Sequence, residues 1–321
     1  MKHPVNIKPF YILISVISLT GVLSSIFISF RRDMNDASIR LKSIPSEVYT
    51  SKSGDIEYLL TGKGPTILVS HGITGGIDQG IGLSNAYARN KYRFLYISRF
   101  GYLKSSMPGN ASAKMQAQAY SDLLNHLRIK KVFIIGNSAG GPSAMNFAAD
   151  FPNKCRGLVL ISSVMPAPVP RDTSSAPPDI VFKSDFIYWL TTNIAGKSLM
   201  KMFVPPAIMV KMDKMKIKKI KHDVFMSALP ISRRSEGILF DNKVSNPSIE
   251  NMPFDFARIN TPTLIIHAID DPAPPYQGAR KISGLIPGAI LVSIKEGGHL
   301  IIGHEEEVKN AISKFISGPD R

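Results

Sequence analysis

The sequence predicts an α/β fold: a mostly parallel sheet with helices on both faces, a helical cap inserted into its second half, and an N-terminal transmembrane helix. Three observations predict it. Short apolar, β-branched runs alternate with helical patterns from residue 46 onward, as strand-helix units of a buried parallel sheet do. The alternation lapses over 164–260, about 95 residues, too long for an ordinary connection. Phe10 to Phe30 is an uncharged, largely apolar run followed at once by Arg31 and Arg32. The division that follows is a tail at 1–9, an anchor at 10–30, a linker at 31–45, a core at 46–163 and 261–321, and the cap at 164–260.

Composition sets limits first. The chain has 321 residues and is 44% hydrophobic, enough for a sizeable buried core. A single cysteine, Cys155, excludes an internal disulfide framework and offers no thiol pair to a metal. The net charge of +15 is concentrated: residues 1–45 carry six Lys/Arg against two Asp, and residues 197–221 carry eight Lys against one Asp. No zinc-finger spacing or aromatic RNA-binding signature accompanies it, so nucleic acid is not the expected partner. Anionic lipid is, because the first basic stretch frames the apolar run.

As a helix, 21 residues at 1.5 Å each reach about 30 Å, enough to cross a bilayer. The run ends in Ser-Phe-Arg-Arg rather than a small-x-small cleavage site, so a retained single-pass anchor is expected over a cleaved signal peptide. Basic residues on both flanks leave its orientation undecided.

After the linker, "EVYTSKSGDIEYLLTG" reads as two strands turning at Ser53-Gly54. Six buried strands are then expected, within 66–72, 93–98, 131–137, 157–163, 263–270 and 289–294. Met115, Ala119, Leu123 and Leu127 recur every four residues behind a Ser112 cap, and Val308, Ile312, Phe315 and Ile316 line one face of a last helix. The run "IMVKMDKMKIKKIK" in the insertion interleaves apolar residues with lysines. It suits either a solvated lid helix with its apolar face on the core or a helix resting on anionic lipid.

The chemistry begins at "GNSAGG", residues 136–141, where Ser138 matches G-x-S-x-G between a strand and a helix. Such a turn forces the serine into strained backbone and lifts its oxygen clear of the sheet, with glycines two residues away on each side to avoid collisions. A serine hydroxyl needs a base, and the base an orienting acid. His299, in "KEGGHL" after the final strand, is the base candidate. His304, ahead of three glutamates, is expected to start a helix instead. The acid should precede the histidine in the chain, and "HAIDDPAPP" offers Asp270 and Asp271, with His267 expected to be a packed side chain.

With these motifs in this order, the chain resembles the α/β-hydrolase-fold enzymes over roughly residues 46–318 apart from the insertion. The family pattern G-x-x-D-x-x-x-P, with Ala268 in the glycine place and Pro275 in register, favours Asp271 over Asp270. "SHGITGG" at 70–76 resembles the family's oxyanion segment, which implies backbone donors at Ile73, or alternatively Thr74, together with Ala139 after the nucleophile. His71 is then structural. "SRFGYLKSS" at 98–106 departs from the family pattern, with Ser98 for an acid and Leu103 for a glycine.

The resemblance implies a serine hydrolase that cleaves a small carboxylic ester through Ser138, His299 and Asp271, with neither metal nor organic cofactor. The apolar run at 10–30 adds the expectation of a membrane anchor, and the basic run of the insertion that of a lipid-derived ester. A carbon–carbon bond hydrolase would use the same triad. A non-catalytic binding module would keep the fold alone.

Overall fold

In the computed structural model, residues 8–166, 177–251 and 254–318 are described. The expected tail before residue 8, and 167–176 and 252–253 of the expected cap, lie outside them. The chain divides into two units, Met1–Ser43 and Ile44–Arg321.

The described residues of the first unit form one helix, α1 (Lys8–Lys42). It corrects two expectations. Residues 31–42 are helix rather than linker, because neither glycine nor proline occurs between Gly21 and Pro45, and Pro45 disfavours helical backbone only at the residue before it. Among the described residues, moreover, no helix is long and apolar enough to cross a membrane. The apolar run is diluted by Ser15, Ser18, Thr20, Gly21, Ser24, Ser25 and Ser29, and α1 continues through Arg31, Arg32 and Asp33. The expected transmembrane helix over 10–30, and the single-pass membrane localisation built on it, are not supported.

The second unit is built on eight strands: β1 (Glu47–Ser51), β2 (Gly54–Gly62), β3 (Thr66–Ser70), β4 (Arg93–Ile97), β5 (Val132–Asn137), β6 (Cys155–Ile161), β7 (Thr263–Ala268) and β8 (Ile290–Ile294). They form one sheet in the order β1-β2-β4-β3-β5-β6-β7-β8. β1 and β2 form the expected hairpin and β2 pairs antiparallel with β4, whereas every other pairing is parallel.

Helices α2 (Ile77–Tyr87), α3 (Ala113–His126) and α4 (Gly141–Asp150) connect the first parallel strands. Between β6 and β7 the described chain has no strand: α5 (Asp179–Lys183), α6 (Asp185–Met200), α7 (Pro206–Val210), α8 (Lys214–Ile220), α9 (Ser235–Phe240) and α10 (Pro247–Glu250) follow with short 3-10 and π turns. Helices α11 (Tyr276–Ser283) and α12 (Glu305–Ile316) complete the unit. Ser112 caps α3 by accepting from the Met115 N–H at 3.1 Å, and Val308, Ile312, Phe315 and Ile316 of α12 are buried.

Side chains alternate along each central strand, so the sheet is packed on both faces. Ile134, Leu158, Leu160 and Ile265 join one cluster with residues of α3, α4 and α11; Phe133, Ile135, Val159, Ile161, Leu264 and Ile266 join a second with residues of α2 and α12. Each such buried apolar side chain contributes roughly 1.5–3 kcal/mol of transfer free energy. Two full layers fix the strand register, and with it the positions of the loops that leave the carboxyl ends of β3, β5, β7 and β8.

Candidate active site

Ser138 follows the last residue of β5 with φ 48°, a left-handed conformation that costs an L-residue about 1–2 kcal/mol. The surroundings hold it there. A Cβ at Gly136 would lie 2.7 Å from Ala144 Cβ, and one at Gly140 would run into the Ser70 carbonyl, so only glycine lets α4 start this close to β3 and β5. The Ser138 carbonyl accepts from the Val164 N–H at 3.1 Å. A peptide unit is planar with its C=O and N–H opposed, so that bond also fixes the direction of the Ala139 N–H.

His299 lies on the loop between β8 and α12, and its ring bridges two partners. Nε2 is 3.0 Å from Ser138 Oγ and Nδ1 is 2.9 Å from Asp271 Oδ2. A carboxylate can only accept, so Nδ1 carries the proton and Nε2 is free to accept from the serine hydroxyl. Three residues expected from separate motifs thus meet at one end of the sheet. His299 and Asp271 are 7% and 8% exposed, which shields the pair from solvent.

Asp270 and Asp271 divide the work of their loop. Asp270 accepts from the Gly298 N–H at 2.9 Å and the Gly297 N–H at 3.3 Å, holding the glycine turn that presents His299. Asp271 accepts from the Ala273 N–H through Oδ1, leaving Oδ2 to the imidazole. Burial pushes the Asp271 carboxyl up, but His299 and His267 outweigh it and hold it at about 2. His267, expected only to be packed, has its Nε2 2.8 Å from the Pro274 carbonyl and 3.3 Å from Asp271 Oδ2. Its place in the β7 pattern carries no sign of that contact.

The loop after β3 passes beside the serine: a Cβ on Gly72 would lie 3.2 Å from Ser138 Cβ. His71 is fully buried, and burial with the Arg99 charge nearby lowers its pKa well below the usual value. Neutral His71 accepts the Arg99 N–H at Nε2, 3.0 Å, and therefore donates from Nδ1 to the Gly72 carbonyl, 2.7 Å. The Ile73 N–H belongs to that same peptide unit, so its direction is set by the held carbonyl. Thr74, the alternative donor, has φ 60°, and the Ile73 carbonyl of its peptide unit accepts from Gln79 Nε2 at 3.3 Å.

The insertion covers the histidine. The Phe203 ring lies 5.5 Å from the imidazole, and its carbonyl accepts the His299 N–H at 2.8 Å. His304 stands immediately before α12, as expected, with Nδ1 3.0 Å from Glu307 and away from the serine's partners.

Residues 65–182 match the family described as alpha/beta hydrolase fold, and residues 243–321 the family described as TAP-like protein. The chain is 29% identical over 264 residues, 79% of its length and 92% of the relative's, to the uncharacterized hydrolase YcgS of Bacillus subtilis. It is 31% identical over 115 residues, 33% of its length and 39% of the relative's, to a 2-hydroxy-6-oxo-6-phenylhexa-2,4-dienoate hydrolase of Comamonas testosteroni. Among solved structures, an alpha/beta hydrolase fold protein from Nakamurella multipartita superposes with TM-score 0.66 at 20% identity, covering 84% of this chain and 98% of that one.

Proposed function

Since the chain belongs to the α/β-hydrolase-fold superfamily and is a hydrolase, we propose that it cleaves a carboxylic ester through Ser138, His299 and Asp271. The observation that carries this reading is the single imidazole within hydrogen-bond reach of both the serine hydroxyl and a buried carboxylate.

In the proposed reaction His299 Nε2 takes the Ser138 proton as Oγ bonds to the ester carbonyl carbon. Backbone N–H groups of Ile73 and Ala139 hold the oxyanion, each worth about 3 kcal/mol. The protonated imidazole then gives its proton to the departing alkoxide. Water, activated by the same nitrogen, releases the acid and restores the serine. Asp271 keeps the Nδ1 proton in place and stabilises the imidazolium between steps.

Ester hydrolysis by the wild-type protein, and its loss in Ser138→Ala, is the test. A variant retaining wild-type turnover of short acyl esters would falsify the mechanism. The Comamonas relative, named as a dienoate hydrolase, supports a second reading in which the same triad cleaves a carbon–carbon bond of a vinylogous diketone. Assaying both substrate classes side by side separates the two.

For the substrate's source we propose an anionic lipid surface. Helices α7 and α8 bury no side chain, and Val210 and Met215 are 87% and 82% exposed among Lys211, Lys214, Lys216, Lys218 and Lys219. Apolar tips within a basic field suit peripheral contact with anionic headgroups. Replacing Lys214, Lys216, Lys218 and Lys219 together by glutamine should weaken binding to phosphatidylglycerol vesicles, and unchanged binding would remove this part of the reading.

A further inference from the structure

Two ion pairs, buried and crossed between core and insertion, converge on the loop that carries Ile73. Arg99, just beyond β4, makes a two-pronged pair with Asp241 of the insertion, both contacts 2.6 Å. Arg234 of the insertion makes a second with Asp78 of α2, at 2.9 and 2.7 Å. Arg99, Arg234 and Asp241 are at most 1% exposed. The Tyr102 hydroxyl adds a hydrogen bond to Asp241 at 2.5 Å.

Both guanidinium groups also hold the loop backbone. Arg99 Nε donates to the His71 carbonyl at 2.9 Å and Nη2 to the Gly72 carbonyl at 3.3 Å, while Arg234 Nη1 donates to the Gly75 carbonyl. Three carbonyls of 71–75 are therefore tied to cations whose own carboxylate partners lie across the boundary between core and insertion. Burial opposes the charge of Arg99 and Asp241 more than offsets it, raising its pKa above the ordinary guanidinium value. Without Asp241 the guanidinium would be left buried and uncompensated, and its aim at the loop would be lost.

We infer that Arg99, Asp241 and Arg234 are positioning residues for the oxyanion hole, so that the Ile73 N–H is aimed at the reacting carbonyl only when residues 231–245 of the insertion are seated. The inference rests on the serine-hydrolase reading. It makes the insertion part of the machinery for the transition state rather than only a cover over the substrate. Because a tetrahedral oxyanion and a ground-state carbonyl place their charge differently, loss of aim falls on kcat more than on KM.

The test compares the full chain with Asp241→Asn and Arg234→Lys. Each variant should lose at least about tenfold in kcat and in the rate of fluorophosphonate labelling, with KM changed by less than about threefold. Affinity for a trifluoromethyl ketone, which forms a tetrahedral adduct, should fall by the same factor as kcat/KM. The double variant should be little worse than the poorer single one, since both act through one loop. Labelling and kcat within twofold of wild type in folded variants, or a rise in KM with kcat unchanged, overturns the inference. If Asp241→Asn does not fold, Tyr102→Phe removes one hydroxyl from the same carboxylate. Its labelling rate should fall by about threefold, and an unchanged rate overturns the inference equally. Wild-type protein that neither labels nor hydrolyses esters removes the hydrolase reading itself, whereas reactive wild type with unaffected variants removes only the coupling.

Discussion

Asp270 and Asp271 are neighbours in the chain, yet they hold opposite ends of one device. Asp270 binds the glycine N–H groups that shape the histidine loop, and Asp271 binds the imidazole that the loop presents. Their substitutions should therefore separate. Asp271→Asn exchanges an acceptor for a group that can present N–H to Nδ1, favouring the wrong tautomer, and should lower kcat by roughly 10³–10⁴. Asp270→Asn leaves the imidazole paired and loosens only its loop, with an expected loss of about tenfold. Steady-state kinetics on both variants would decide, and equal losses would contradict the division.

The low pKa of Asp271 gives stability a definite pH dependence. The unfolded chain takes up the proton near 4, the folded chain only near 2, so the unfolded state binds more protons between them. The stabilisation, about 2 kcal/mol, is fully present above the unfolded value and is lost as pH falls through the folded one. Urea midpoints of wild type and Asp271→Asn should converge between about pH 5 and pH 2. A constant gap across that range would contradict the assignment.

Two glycine substitutions should move in opposite directions. Gly136→Ala puts a methyl against Ala144 and Gly141, and overpacking of this kind costs about 1–3 kcal/mol. Gly82→Ala, in α2 with nothing within 4 Å of the added carbon, should stabilise by about 0.4–1 kcal/mol. Thermal melts of the two variants give the signs directly. Only the first should also lower activity, because it shifts the turn that carries Ser138.

What the sequence made legible follows from the range of the forces involved. The strands β3 to β7 appear as apolar runs because their side chains are buried on both faces, whereas β8, expected to be buried, is the edge strand and leaves Ile290 45% exposed. Ser138 and His299 are marked by glycines needed within two residues of them. The pair Arg99–Asp241 has no such local mark. Its members lie 142 residues apart, and a charged residue in isolation reads as surface until its partner is found. His267 hides for a related reason, since a histidine in an apolar strand looks like packing until the following turn brings Asp271 back beside it. Residues 31–42 read as a linker through their polarity, although nothing in them stops a helix. The run at 10–30 is uncharged, yet the serines spread through it leave it short of the apolarity a spanning helix needs.

Mapping a covalent adduct shows whether His299 activates Ser138. After brief exposure to a fluorophosphonate, peptide mass spectrometry should place the adduct on Ser138 in wild-type protein and find it at least about a hundredfold slower to form in His299→Ala. An adduct on another residue, or labelling of Ser138 at the same rate without the imidazole, would contradict the account.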